Sequence, residues 1–350
     1  MSLFHEHTRL AAALAASTLS ASVQNKVMEQ ARPAVAFVRR QHDMVSVQKC
    51  CSRLGGLPDW PPGKGWPMRE KPVDASARIL ALKEELARNT TFAEEMENMY
   101  QSIQEPLNGE QKAIFQQVEA KQAERLKALQ LAQIMDFPLA FVVQLNLEEL
   151  SQHPGFDPKL PKRGLLSFFR DITRDDAQPF VFWHDVALDA LRSLPAPEAL
   201  IELHDKYIGE PWRSLTQVEC LEPRSVISVP AVCPGLSETE QEIYERWYKE
   251  LIYLDNEYKA VFDEEDASYG GELLGGWAEP IQQSVEEELN AEAKGDESLW
   301  RLLFTWSEEC YADTALLSGL QGGGTYYAMI REDDLTAWRF DRVSGELQFD

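Results

Sequence analysis

The chain has 350 residues, of which 44% are hydrophobic and 26% charged, and its 58 Asp and Glu against 34 Lys and Arg leave a net charge of −24. A chain this long buries roughly three-quarters of its unfolded surface, so it needs no metal or disulfide staple and has room for one large domain or two ordinary ones. So acidic a surface argues against nucleic-acid and membrane partners and favours a basic protein, or solubility alone.

Residues 1–32 read as an N-terminal helical extension. Their apolar run, 10–19, is rich in Ala and Ser, and His5, Glu6 and His7 stand where an export signal would be basic. No stretch approaches the ~20 apolar residues of a membrane span. The five cysteines, Cys50, Cys51, Cys220, Cys233 and Cys310, fit neither a disulfide framework nor a zinc spacing, so reduced thiols and a cytoplasmic location are expected.

Strand character follows at 33–38 and 44–47. Residues 54–67 then hold four Pro and four Gly, which excludes helix and central strand and predicts an ordered loop anchored by Trp60 and Trp66. Residues 73–135 read as a charged helical hairpin, with Phe115, Val118, Leu126, Leu129 and Ile134 at helical spacing in its second arm. Buried strands are expected at 139–145, 165–170 and 180–183, a short helix from Asp185, and a strand at 225–229. Ser237 followed three residues later by Glu240 is a capping box. It opens a helix whose buried face should carry Ile243, Trp247, Leu251, Leu254, Tyr258 and Phe262.

Acid is concentrated rather than spread. Residues 238–297 hold 19 acidic and 4 basic side chains, a net −15 of the total −24. Such a run is either a solvated helix face or a docking surface for a basic partner. The candidate partner-binding residues are Glu238, Glu242, Glu245, Asp263, Glu264, Glu265 and Asp266.

The chain also reads as an internal repeat. Gly55-Gly56, the strands 138–144 and 164–170, and Phe180-Val181-Phe182-Trp183 are matched by Gly275-Gly276, strands 300–306 and 324–331, and Ala337-Trp338-Arg339-Phe340. The halves fall at about 33–230 and 231–350. Each unit predicts a Gly-rich loop and three strands, and two such units would share one core. The fold class is therefore α+β: two related β-rich halves in one unit, with the charged insert 73–135 in the first.

Ser52-Arg53-Leu54-Gly55-Gly56-Leu57-Pro58, Gly65-Trp66-Pro67, Gln144-Leu145-Asn146-Leu147 and residues 160–169 resemble the YwqG-like family, bacterial proteins with a domain of unknown function. Leu273-Leu274-Gly275-Gly276, Pro280-Ile281-Gln282, Leu302-Leu303 and Asp333-Asp334-Leu335 extend the resemblance over residues 33–350. The charged stretch 73–135 departs from the family pattern, as does Thr305-Trp306 where a Gln-containing strand like that of Gln144 is expected. The resemblance implies fold and intracellular location and no catalytic residues. It also implies genomic company with toxin systems, where related domains act as immunity partners.

No chemistry-bearing motif stands out. The six His include no pair at i, i+4 and there is no Cys-x-x-Cys, so neither a metal nor a cofactor is expected. Residues 263–266 lack the spaced oxygens of a calcium loop. No Gly-x-Ser-x-Gly elbow occurs. Cys50 and Cys51, near Lys49 and Arg53, are either activated by those cations or ordinary buried thiols. His184-Asp185 and His204-Asp205 are poor acid–base pairs, because neighbours on a strand point to opposite faces, and Asp185 reads better as a helix cap. Residues 322–324 and 63–65 read as turns.

The leading expectation is a non-catalytic, protein-binding protein, of the kind that masks a basic toxin with its acidic surface. The alternative is a small-ligand-binding or hydrolytic protein with a site between the halves, built from Trp60, Lys64 and Trp66 and the second Gly-rich loop.

Overall fold

A computed structural model describes residues 3–43, 47–84, 127–173, 178–208, 217–254, 271–292, 299–307 and 324–349. Its centre is a pair of long antiparallel strands, β2 (Arg32–Asp43) and β11 (Gln217–Ser228), in register over their full length, from Arg32 opposite Ser228 to Asp43 opposite Gln217. Period-two alternation gives β2 two different faces. Val35 and Phe37 enter the largest apolar cluster, while Ala34, Ala36 and Val38 face a second cluster beneath the helix Val285–Glu292.

The short strand β1 (Leu3–Phe4) pairs with β11. On one side β11 is followed by β3 (Arg53–Gly55), β7 (Ala140–Asn146), β8 (Leu165–Arg170) and β9 (Pro179–His184). On the other side β2 is followed by β12 (Leu273–Gly275), β13 (Trp300–Ser307), β14 (Gly324–Arg331) and β15 (Ser344–Phe349). Each flank thus runs as a three-residue glycine-ended strand, two long strands and an edge strand. The pairing between the long strands shifts between Phe141 and Val143 on one flank and between Leu302 and Phe304 on the other, the one-residue offset of a β-bulge. Bulges raise local twist, and the sheet curls into a near-barrel around Phe37, Leu54, Phe168, Phe304, Trp306 and Tyr326.

Both short strands end on paired glycines with positive φ: Gly55 and Gly56 at +72° and +74°, Gly275 and Gly276 at +73° and +76°. That backbone region is open to Gly at little cost, and the chain there turns sharply out of the sheet. Behind the first pair, the buried Asp59 carboxylate accepts from the backbone N–H of Cys50 (2.9 Å), from Arg53 Nη1 (2.9 Å) and from Gln144 Nε2 (3.0 Å). Gln144 Oε1 in turn accepts from Asp59 N at 3.0 Å, which closes a reciprocal pair between the two residues. Near the second pair, buried Arg39 forks onto the fully buried carboxylate of Glu272.

The helices His7–Ala16 and Ala21–Gln30 pack Leu10, Leu14, Val23 and Val27 against Tyr244, Trp247 and Tyr248 of the helix Glu238–Leu254. Ser20 caps the second of them by accepting from Val23 N. At the start of the helix Glu238–Leu254, Ser237 N donates to the Glu240 carboxylate, one half of the expected capping box, and Ser237 Oγ donates to that same carboxylate. Its buried centre is Tyr244, Trp247 and Tyr248, while the expected Ile243 is half-buried.

Other expectations shift. Residues 337–340 are not a strand: after the helix Glu332–Thr336 the chain passes through a turn and a single 3-10 turn, Phe340–Arg342, and the last strand is β15. The strand expected at 225–229 is the end of the much longer β11. The helix expected from Asp185 is a 3-10 turn, Leu188–Ala190, followed by the helix Glu198–Ile208. Within 73–135, residues 75–84 and 127–133 are helical, Leu129 is buried, and Ile134 is exposed rather than on the buried face. Phe115, Val118, Leu126, Tyr258 and Phe262 lie outside the described residues, as do 44–46 of the second expected strand. Among the described residues no helix is long and apolar enough to cross a membrane.

Candidate functional site

The site forms where the two ends of the curled sheet approach each other. Gln178, just before β9, donates through Nε2 to Val343 O at 2.7 Å, just before β15. Trp183 on β9 meets Phe340 at a ring separation of 6.4 Å. Along this seam opens a cleft of about 430 Å³, lined by Trp60, Lys64, Gly65 and Pro67, by residues 181–184 of β9, and by Trp338, Phe340 and Asp341.

Its first wall comes from the Pro- and Gly-rich loop. Trp60 lies on β4 (Asp59–Trp60), which pairs with β10 (Arg192–Ser193). The ring is buried against Phe169, Phe182 and His184, and its Nε1 donates to Gly65 O at 3.1 Å. The two indoles of this loop therefore differ in role. Trp66 Nε1 donates to Leu139 O at 2.7 Å, and this ring anchors the loop without reaching the cleft. Lys64, at the loop's tip, is exposed and lines the opening.

The floor is β9. His184 is only 4% exposed, its ring centroid 4.2 Å from that of Trp60, and its Nε2 is buried with no hydrogen-bond partner among the described residues. Burial, and secondarily the charge of Lys64, push its pKa down to about 4, so the imidazole is neutral near pH 7. Gly164, with φ +81°, lies so close to this strand that a Cβ there would stand 2.1 Å from His184 O. Asp185 neither caps a helix nor assists His184; its carboxylate pairs with Arg163 at 2.6 Å, in solvent.

The second wall comes from the far end of the chain. The helix Glu332–Thr336 ends with Trp338 N donating to Leu335 O at 3.0 Å and Arg339 N donating to Asp334 O at 2.8 Å. This is a Schellman motif, and Trp338 sits at its left-handed C′ position with φ +56°, where glycine is the usual residue. The indole is 46% exposed, donates through Nε1 to Lys159 O at 2.9 Å, and meets Trp183 edge to face at 5.1 Å. A bulky side chain held at positive φ costs on the order of 1–3 kcal/mol, and such strain collects at functional sites.

Among the residues expected to form a ligand site, the structure thus brings Trp60 and Lys64 to the cleft and leaves Trp66 behind it. The second Gly-rich loop, Gly275-Gly276, does not line it; residues 338–341 take that place. No Ser, Thr or Cys lines the cleft and Asp341 is its only carboxylate among the described residues. Of the acidic surface, Glu238 and Glu242 are exposed and Glu245 half-buried, while Asp263, Glu264, Glu265 and Asp266 lie outside the described residues. No group of three or more His, Cys, Asp or Glu able to hold a metal occurs among the described residues. Sequence reasoning missed Trp183, Trp338 and Asp341; the one signal available was an acidic helix end followed by two aromatics, which reads equally well as a strand.

A family model described as Domain of unknown function (DUF1963) matches residues 52–348, a span that contains all of the cleft's lining residues. A comparison with curated proteins finds no match.

Proposed function

The chain belongs to the family described as Domain of unknown function (DUF1963), and from that premise we propose that it is a small-molecule-binding protein whose ligand occupies the seam cleft. The observation that supports this reading is a cleft walled by Trp60, Phe182, Trp183 and Trp338, with the neutral His184 in its floor and Lys64 at its mouth. An apolar cleft with a few convergent polar groups is the usual form of a ligand site, and an imidazole kept neutral can donate or accept one hydrogen bond there. The aromatic walls favour a planar ring, and Lys64 at the mouth favours an anionic substituent on it. Binding fits better than hydrolysis, because among the described residues the lining offers no Ser, Thr or Cys and no carboxylate hydrogen-bonded to His184.

Fluorescence titration with 1-anilinonaphthalene-8-sulfonate, an aromatic anion, tests the reading on the full chain. Saturable binding that weakens at least tenfold in Trp338→Gly and in Lys64→Ala supports it. Equal binding in wild type and both variants, or none in any, contradicts it.

A second reading is a basic protein partner held by the acidic surface at Glu238, Glu242 and Glu245, the immunity-type role. The exposure of Glu238 and Glu242, opposite the buried Tyr244 and Trp247, favours it. Its signature is association that weakens as salt rises. The matched glycine pairs, bulges and strand order on the two flanks support reading the halves as copies of one unit within a YwqG-like protein, and the free thiols support a cytoplasmic location.

A further inference from the structure

On the opposite side of β3 from the Gly55-Gly56 turn, two cysteines far apart in sequence come together. Cys51 Sγ lies 3.9 Å from Cys220 Sγ, and both residues are half-buried. The backbone fixes this approach: Arg53 of β3 stands opposite Cys220 of β11, and Leu221 N donates to Ser52 O at 2.9 Å. Cys51 itself precedes β3, outside the ladder, with its carbonyl accepting from Gln144 Nε2 at 2.9 Å. The sulfurs stand roughly 2 Å farther apart than a disulfide bond length, a gap for side-chain rotation to close.

The surroundings separate the two sulfurs. Arg53 Nη1 lies 3.9 Å from Cys51 Sγ, a cation beside the thiol that a thiolate needs. Cys50, the sequence neighbour, is turned the other way: its backbone is left-handed at φ +61°, its side chain is buried, and its Sγ donates to Leu188 O at 3.4 Å.

We propose that Cys51 and Cys220 are a peroxide-sensitive dithiol–disulfide couple, Cys51 supplying the attacking sulfur and Cys220 the resolving one. In the first step the Cys51 thiolate attacks one oxygen of a hydroperoxide. An S–O bond forms, the O–O bond breaks, and the leaving oxygen takes a proton as water or alcohol; sulfur is oxidised to the sulfenic acid and the peroxide is reduced. In the second step the Cys220 sulfur attacks Cys51 sulfur, the S–S bond forms, the S–O bond breaks, and hydroxide departs as water with the Cys220 proton. The charges agree with this division: contact with Cys220 and with Arg53 lowers the Cys51 pKa to about 7, while contact with Cys51 and burial raise that of Cys220. Burial foremost holds Cys50 and Cys233 up at about 11. The product ties the entrance of β3 to β11, and a thiol reductant reverses it.

The test uses the full chain, hydrogen peroxide at a few equivalents, and mass spectrometry of tryptic peptides without reductant. Wild type and Cys50→Ser should both yield residues 50–53 joined to residues 214–224. Cys220→Ser should lose the link and leave Cys51 trapped by dimedone as the sulfenic acid. A link through Cys50, Cys233 or Cys310 instead, or an unreacted Cys51, overturns the proposal. Should a variant fail to fold, iodoacetamide labelling of wild type decides: Cys51 should react at least tenfold faster than Cys233 at pH 7.5, and equal rates overturn it.

Discussion

The indole of Trp338 packs edge to face on that of Trp183, 5.1 Å between rings, from a left-handed backbone position that glycine usually fills. One ring comes from the strand at one end of the sheet, the other from the turn that leads into the strand at the opposite end. Their contact is the seam, and the cleft opens beside it.

The backbone cost at Trp338 separates from the ring's contribution. Trp338→Gly and Trp338→Ala remove the same indole, yet only the alanine keeps a Cβ at φ +56°. Trp338→Gly should therefore be more stable than Trp338→Ala by about 1 kcal/mol, against the usual order in which Ala is the better residue. Urea denaturation of the pair measures this, and equal midpoints would show that the turn relaxes on truncation.

His184 makes stability depend on pH with a defined sign. Its folded pKa, about 4, lies below the ordinary value of 6.5, so between those values the unfolded chain binds more protons. The contribution is present in full above pH 6.5, declines as pH falls, and is gone below about pH 4. The 2.5-unit difference bounds it at roughly 3 kcal/mol. Denaturation curves from pH 4 to 8 should be flatter for His184→Gln than for wild type; identical slopes would place the titration elsewhere.

Asp59 holds the first glycine loop and with it Trp60. Asp59→Ala strands the buried guanidinium of Arg53 and the N–H of Cys50, a loss of about 3–5 kcal/mol. Asp59→Asn keeps an acceptor and should cost less. Thermal unfolding of both variants reads the order, and a silent Asp59→Ala would mean that Arg53 finds water.

Gly164→Ala drives a Cβ into the backbone of the cleft floor, 2.1 Å from His184 O, at a φ of +81°. Both the clash and the left-handed geometry oppose it, so a destabilisation of at least ~2 kcal/mol is expected, with displacement of β9. Gly63→Ala has the same backbone penalty at φ +82° with open space around it, and it should be the milder change in a parallel denaturation series.

Much of the sheet is legible in the sequence because its strands are continuous apolar runs: the expected 165–170 matches β8 residue for residue, and 180–183 matches β9 to within one residue at each end. The helix at Ser237 was legible through its cap. The length of β11 was not, since Glu219, Glu222 and Arg224 break its apolar pattern while their side chains pair across or along the strand surface. The seam was hidden for a different reason. It depends on sheet curl, set by bulges at 142 and 303 that no residue type marks. It also depends on Trp338 standing where local rules place glycine, which made 337–340 read as a strand. Trp60 and Lys64 were identifiable from their loop alone, but their partners lie more than a hundred residues away in sequence.

The most direct test of the ligand-binding account is a crystal structure of the full chain soaked with indole-3-carboxylate, a planar ring bearing one anionic group. The account predicts the ring beside Trp60, Trp183 and Trp338 and its carboxylate within reach of Lys64 Nζ. An empty seam at saturating ligand, or the ring bound elsewhere on the chain, would contradict it.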